Sequence, residues 1–469
     1  GQLRFANVPI EIFVEEEALK SKLENALNNE VDGVQNYLLA NHEWERFVEN
    51  LRTQYSTYYD FRYASLERSI DKIQESIPNN TSVIRYFFVG TELKALVMKQ
   101  DQKSLIELEF EGLSTILNRL QDNWSDEKQS TADLKQLYDR LWKPLEPYIT
   151  TEHVLIVPDG LLFNLSFEIL TPQRIHRYSE LATKSLIASH SFSYHYSTLL
   201  FDYGMRSASY ESDFVAFAPG FFDVMKESYL SEVKDSLNLD HAYLTLLPQP
   251  FTKQLVAGIS KIFGGRIFTD EKSTVNRFKL EAGKHKIIHI GTHAESNNIS
   301  PNLSRLFFAK STNHPEEENS LFVKDIYAMD LSSELAVLIA CESGKLSYSP
   351  GEGMISLAHA FNYAGSKSML MGIWKIDEHV SSDIAMDFYE NLAKGLTKDQ
   401  ALRVAKLNYL STAESRALAP NFWAGLIVMG STEPLALEKP VPMYWIVTSI
   451  LLVLIGSWFV FKLFKNPKG

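Results

Sequence analysis

Residues 334–344 read ELAVLIACESG. The six residues Leu335 to Ala340 are all apolar, and a charged residue precedes them and a polar, glycine-ending turn follows. A run this short and this apolar reads as a strand buried on both faces. Cys341, the single cysteine of 469 residues, comes directly after it. Seven more runs share the character: HVLIVP (153–158), DFVAFAP (213–219), GGRIFTD (264–270), KIIHIG (286–291), SRLFFA (304–309), SKSMLMG (366–372) and AGLIVMG (424–430). Amphipathic stretches such as FTKQLVAGISKIF (251–263), ISLAHAFNYAG (355–365) and SSDIAMDFYENLAKG (381–395) lie between several of them. Apolar strands alternating with helices predict an α/β fold, a mostly parallel sheet covered on both faces. Sites in such sheets form at the carboxyl ends of the strands.

Upstream the pattern changes. Residues 15–78 carry apolar residues at three- and four-residue spacing and predict helices that stop at Pro78-Asn79-Asn80. SVIRYFFV, ELKALVMK and SLIELEF then predict a β-rich patch whose first two segments turn through VGTE, and residues 112–148 predict helix again. The expected organisation is a helical region at 1–78 and a main domain at 79–436, with halves at 79–210 and 211–436. Gly1 in place of Met reads as a fragment or processed product, with no signal-peptide pattern at this start.

A hydrophobic fraction of 45% and a charged fraction of 22% are ordinary for a globular chain. The net charge of −12 argues against nucleic acid as a partner, because a phosphate-backbone binder shows a basic face. With one cysteine there is no intrachain disulfide and no Cys-based finger. The run MYWIVTSILLVLIGSWFVF, Met443 to Phe461, has no charge, and Lys462, Lys465 and Lys468 follow it. At ~1.5 Å per residue it just spans a ~30 Å hydrocarbon core, so a transmembrane anchor is expected over 443–464. Positive residues favour the cytoplasmic side, which places the tail there; a tail-anchored cytoplasmic body is the other arrangement, and the side is left open.

Two strand ends carry reactive side chains. His293 follows KIIHIG and Cys341 follows ELAVLIA, 48 residues apart with the histidine first. A thiol is mostly protonated at neutral pH and the thiolate is the nucleophile, so a nearby imidazole could take the proton and later give it to a leaving amine. Backbone N–H groups after both strands could hold an oxyanion. The bland readings are a buried, inert cysteine and an ordinary turn histidine. His289 and His293 have the i, i+4 spacing of a helical zinc pair, but on a strand and its turn that spacing does not converge. No metal site is expected, and no G-x-S-x-G elbow is present for a serine hydrolase.

HIGTHA (289–294), LIACESG (338–344), GEGMISLAHAFNYAGSKSMLMGIWKIDE (351–378) and PNFWAGLIVMG (420–430) resemble, in order and spacing, the CHAT domain, a caspase-like clan CD cysteine peptidase fold also similar to the catalytic half of separase. IVPDGLLFNLSFEIL (156–170) and LPQPFTKQLVAGISKIFGGRIFTDEKSTVNRF (247–278) fit as well, and the resemblance covers about residues 80 to 435. It implies that His293 is the base and Cys341 the nucleophile. It also implies that the backbone of Ala294 and Cys341 forms the oxyanion site, with Ala294 standing where a glycine is usual and Ser343 where threonine is. Trp374, Asp377 and Glu378 are the expected substrate-binding residues, and the two acids would take a basic side chain. The expected function is a membrane-anchored cysteine endopeptidase acting on a protein substrate without a cofactor. A repeat region ending within residues 1–78 would regulate it. The rival reading is an inactive CHAT-like scaffold at the membrane.

Overall fold

The computed structural model describes residues 8–9, 11–12, 14–16, 18–19, 22, 33–55, 59, 70–89, 92–196, 209–233, 239–297, 301–311, 314, 317–339, 347–349, 353–355, 357–437 and 458. The chain divides into two compact units, Gly1–Leu435 and Ala436–Gly469. Among the described residues, no helix is long and apolar enough to cross a membrane. The expected span at 443–464 lies outside them apart from Trp458.

Strands β1 (Thr81–Val89), β2 (Glu92–Met98), β3 (Lys103–Leu108), β4 (His153–Val157), β5 (Ser191–Tyr194), β6 (Ser212–Ala218), β7 (Arg266–Thr269) and β8 (His285–Gly291) appear in chain order. They are followed by β9 (Ala294–Glu295), β10 (Arg305–Phe307), β11 (Ser320–Phe322), β12 (Leu335–Ile339), β13 (Ser347–Ser349), β14 (Gly353–Ile355), β15 (Ser368–Gly372) and β16 (Leu426–Gly430). Among the described residues, eleven of these form one sheet in the order β3-β2-β1-β4-β5-β16-β15-β12-β8-β6-β7. β15, β12, β8, β6 and β7 run parallel as one block. β1, β4, β5 and β16 form a second parallel block, and the antiparallel pairing of β15 with β16 joins the two in opposite directions. The expected mostly parallel sheet is therefore present, with the β1–β2 hairpin at one side.

Three details differ from the sequence-based expectation. SRLFFA is not in the large sheet; β10 pairs antiparallel with β9 and β11 in a separate small sheet. AGLIVMG becomes β16, which lies antiparallel to β15 and crosses into the block of the N-terminal strands. β5, in the middle of the sheet, comes from a serine-rich stretch that no apolar run announced. Its Ser191 hydroxyl is buried because it donates to Asp399 Oδ2 at 2.7 Å, and His153 Nδ1 lies 2.5 Å from the same oxygen.

Helices of seven or more residues are numbered α1 (Gly33–Gln54), α2 (Leu113–Asp122), α3 (Glu127–Leu137), α4 (Asp223–Glu232), α5 (Pro250–Phe263), α6 (Val275–Glu281), α7 (Leu357–Tyr363), α8 (Glu378–Ala393) and α9 (Lys398–Thr412). α1 accounts for part of the expected N-terminal helical region. Strand periodicity puts Phe214 and Phe217, three apart on β6, on opposite faces. Phe214 meets Tyr389 of α8 edge-on at 6.1 Å, whereas Phe217 meets Phe278 of α6 at 5.1 Å on the other face. Both faces are thereby covered, as the two-sided apolar strands require. α9 ties the late part of the chain to the early part: its buried Lys406 donates to Glu168, between β4 and β5, and, at 2.5 Å, to the Leu426 carbonyl of β16. The Lys406 side chain is 0% exposed and that of Glu168 6%.

Lys406→Ala would leave Glu168 buried without its cation, a change that typically costs about 3–5 kcal/mol. The urea unfolding midpoint should fall sharply with an unchanged m-value; an unchanged midpoint would show that the pair contributes nothing.

Candidate active site

The strands of the first block end level with one another. Ile339 of β12 pairs with Gly291 of β8, Phe217 of β6 with Ile290, and Ala218 with Thr269 of β7. On the other side of β12, Leu338 pairs with Met371 of β15. The segments leaving these ends therefore share one rim, and β12 stands between β8 and β15.

His293 is held on that rim by backbone rather than by another side chain. Thr292 N–H donates to the Ile339 carbonyl at 3.2 Å, and the carbonyl of His293 accepts from Phe307 N–H at 3.0 Å. The Thr292 hydroxyl is buried and donates to the Phe307 carbonyl. The imidazole packs 5.3 Å from the ring of Phe221, and its Nε2 lies 2.8 Å from the carbonyl of Leu247. A carbonyl can only accept, so in the neutral imidazole Nε2 carries the proton and Nδ1 the lone pair. Burial lowers the pKa of His293 below its ordinary 6.5, a pull only partly offset by the Leu247 carbonyl and the Glu378 carboxylate, while Lys226 and Lys375 add to the lowering.

Ala294 begins the short ladder with β10, opposite Leu306. Because the His293 carbonyl points at β10, the N–H of Ala294 across the same trans peptide points away from it. Cys341, two residues past Ile339, lies outside the described residues. Both oxyanion and nucleophile assignments for Cys341 thus concern an undescribed position.

Trp374, Asp377 and Glu378 lie where the rim continues past β15. Trp374 donates from Nε1 to the Asn421 carbonyl at 3.2 Å, and its ring lies 6.4 Å from that of Trp124 in the N-terminal half. Asp377 is exposed and caps α8, its Oδ1 accepting from Val380 N–H at 3.0 Å. Glu378 reaches a different helix: its Oε1 accepts from the N–H groups of Phe251 and Thr252 at 2.9 and 3.0 Å and lies 3.3 Å from Thr252 Oγ1. His289 is wholly buried in β8, with Nδ1 2.9 Å from the Tyr389 hydroxyl, and burial lowers its pKa to about 3. Among the described residues, no group of three or more His, Cys, Asp or Glu side chains could hold a metal ion. Leu247, which orients His293, escaped the sequence reading because a backbone carbonyl leaves no mark on residue type.

The CHAT domain family matches residues 131–431. Tetratricopeptide repeat protein 28 of Homo sapiens is 31% identical over 118 residues and its Mus musculus counterpart 30% over 120, each match covering 25% of this chain. The chain spans only 5% of the length of either relative. Among solved structures, the Saccharomyces cerevisiae separase–securin complex covers 80% of this chain and 31% of its own at 10% identity and a TM-score of 0.47. The Arg-specific cysteine proteinase gingipain R covers 69% and 75% at 11% identity and a TM-score of 0.36. Both scores are too low to carry an assignment, which rests on the family match.

His293 should titrate with a midpoint below 6.5, remaining a neutral base as the pH falls through that value and gaining its proton only lower. NMR of the ring nitrogens reads this directly, and a midpoint at or above 6.5 would contradict the half-buried, backbone-held imidazole.

Proposed function

The chain belongs to the CHAT domain family, and from that premise we propose that it is a cysteine endopeptidase in which Cys341 is the nucleophile and His293 the base. The observation that carries the proposal is the 2.8 Å approach of His293 Nε2 to the Leu247 carbonyl, which gives Nε2 the proton in the neutral ring and makes Nδ1 the basic atom. Support also comes from the pairing of β8 with β12, because Cys341 follows Ile339 by two residues and two residues of chain reach at most about 7 Å.

In this mechanism the Cys341 thiol passes its proton to His293 Nδ1, and the thiolate attacks the scissile carbonyl. The N–H groups of Ala294 and Cys341 receive the oxyanion. The imidazolium then protonates the leaving amine, and water, deprotonated by the same imidazole, hydrolyses the acyl-enzyme. No cofactor is required. The substrate is a protein, and a basic side chain on the amino side of the cut bond suits the exposed Asp377, three residues after Trp374. Regulation through repeats within or before residues 1–78, and anchoring of the body in a membrane through 443–464, complete the proposal; the uncharged run at Met443–Phe461 supports the anchor.

Cys341→Ala and His293→Ala should each abolish cleavage while leaving the unfolding transition unchanged, and the double variant should be no worse than either, because the pair acts as a unit. In a peptide library read by mass spectrometry, Cys341-dependent cuts should follow Arg or Lys. Full turnover by the Cys341→Ala protein would end the peptidase reading and leave the scaffold. Best cleavage after hydrophobic or acidic residues would remove Asp377 from the pocket alone.

Truncation after about residue 438 should release the body from membranes, which fractionation measures. A truncated protein that still sediments with membranes would mean that another surface binds lipid or a membrane partner.

A further inference from the structure

α5 starts without a local cap. Pro250 occupies its first turn, and the residue before it, Gln249, makes no side-chain capping bond. The first N–H groups of a helix have no partner inside it and need one from elsewhere. Here Phe251 and Thr252 both donate to Glu378 Oε1, a carboxylate that comes from the far side of the rim at the start of α8. A carboxylate suits this place because helix N-termini carry partial positive charge.

Two routes lead from that clamp to the imidazole. The first follows the chain backwards from Pro250 through Gln249 and Pro248 to Leu247, whose carbonyl holds Nε2 of His293. Gln249 N–H is pinned on the way by the Gly220 carbonyl at 2.8 Å, next to the Phe221 that packs on the imidazole. The second route runs through Thr252. Its hydroxyl faces Glu378, and its methyl lies so close to Gly291 that a Cβ added there would fall 1.8 Å from Cγ2. Gly291 is two residues before His293 and ends β8.

We infer that Glu378 is a positioning residue for His293, clamping the start of α5 so that the Leu247 carbonyl and the Gly291 backbone hold the imidazole in one orientation. This rests on the Cys–His reading for its catalytic consequence but not for its geometric one. Among the described residues, the charged groups that act on the imidazole are Glu378, Lys226 and Lys375. The first favours its protonated form and the two lysines oppose it.

The test compares Glu378→Gln and Glu378→Ala with the wild type by NMR of the His293 ring nitrogens and by kinetics on peptides with arginine and with an uncharged residue before the cut bond. The glutamine keeps an acceptor oxygen but loses the charge. It should preserve the Nε2–H tautomer and lower the His293 titration midpoint, carrying the acid limb of kcat/KM to lower pH. The alanine frees α5. It should let the neutral ring sample both tautomers and reduce kcat by roughly tenfold or more for both peptides with little change in KM. The NMR arm needs no substrate, so it reports on the clamp even if the protein proves not to cleave peptides. An unchanged tautomer and midpoint in both variants would overturn the inference. So would a loss confined to KM for the arginine peptide, which would make Glu378 part of the substrate pocket.

Discussion

The parallel pairing of β8 with β12 is the constraint on which the rest of the site depends. Each strand is buried on both faces, so a slip of register would have to move apolar side chains along a packed interior. With the register held, Gly291 and Ile339 end side by side, and the bond from Thr292 to the Ile339 carbonyl continues the ladder one step into the loop. His293 therefore leaves the sheet at a defined place. The segment that carries Cys341 starts from the neighbouring strand, and the Trp374 segment from the strand beyond it.

Around that pair the molecule is organised by contacts between residues far apart in sequence. Glu378 caps a helix that begins more than a hundred residues earlier, and Lys406 of α9 binds Glu168 in the N-terminal half. Trp124 reaches across to Trp374, and β16 crosses between the blocks. Segments held by such contacts are ill suited to fold independently, because each leaves buried polar groups unpaired without the other.

Much of the fold was legible because two-sided burial writes itself as unbroken apolar runs. KIIHIG, ELAVLIA and SKSMLMG became adjacent parallel strands for that reason. The same criterion failed for SRLFFA, whose apolar residues are as buried as a sheet strand's, Phe308 against Phe217 and Phe278, but whose strand partners are β9 and β11. It also failed for β5, where Ser191 is buried by bonding to Asp399 and His153 rather than by being apolar. At the site, the imidazole was legible from its motif. Its partner was not, since any residue type at position 247 supplies a carbonyl. Nor could sequence reveal that Glu378, beside the exposed Asp377, turns to an unrelated helix.

The central claim is that His293 governs the ionisation of Cys341. The most direct measurement is the pH dependence of the rate at which iodoacetamide alkylates the single cysteine, in the wild type and in His293→Ala. An unassisted thiol titrates near 8.5, and pairing with an imidazole lowers that value. The account predicts a wild-type alkylation profile with a midpoint well below about 8.5 that rises toward that value when His293 is removed. Superimposable profiles in the two proteins would contradict it.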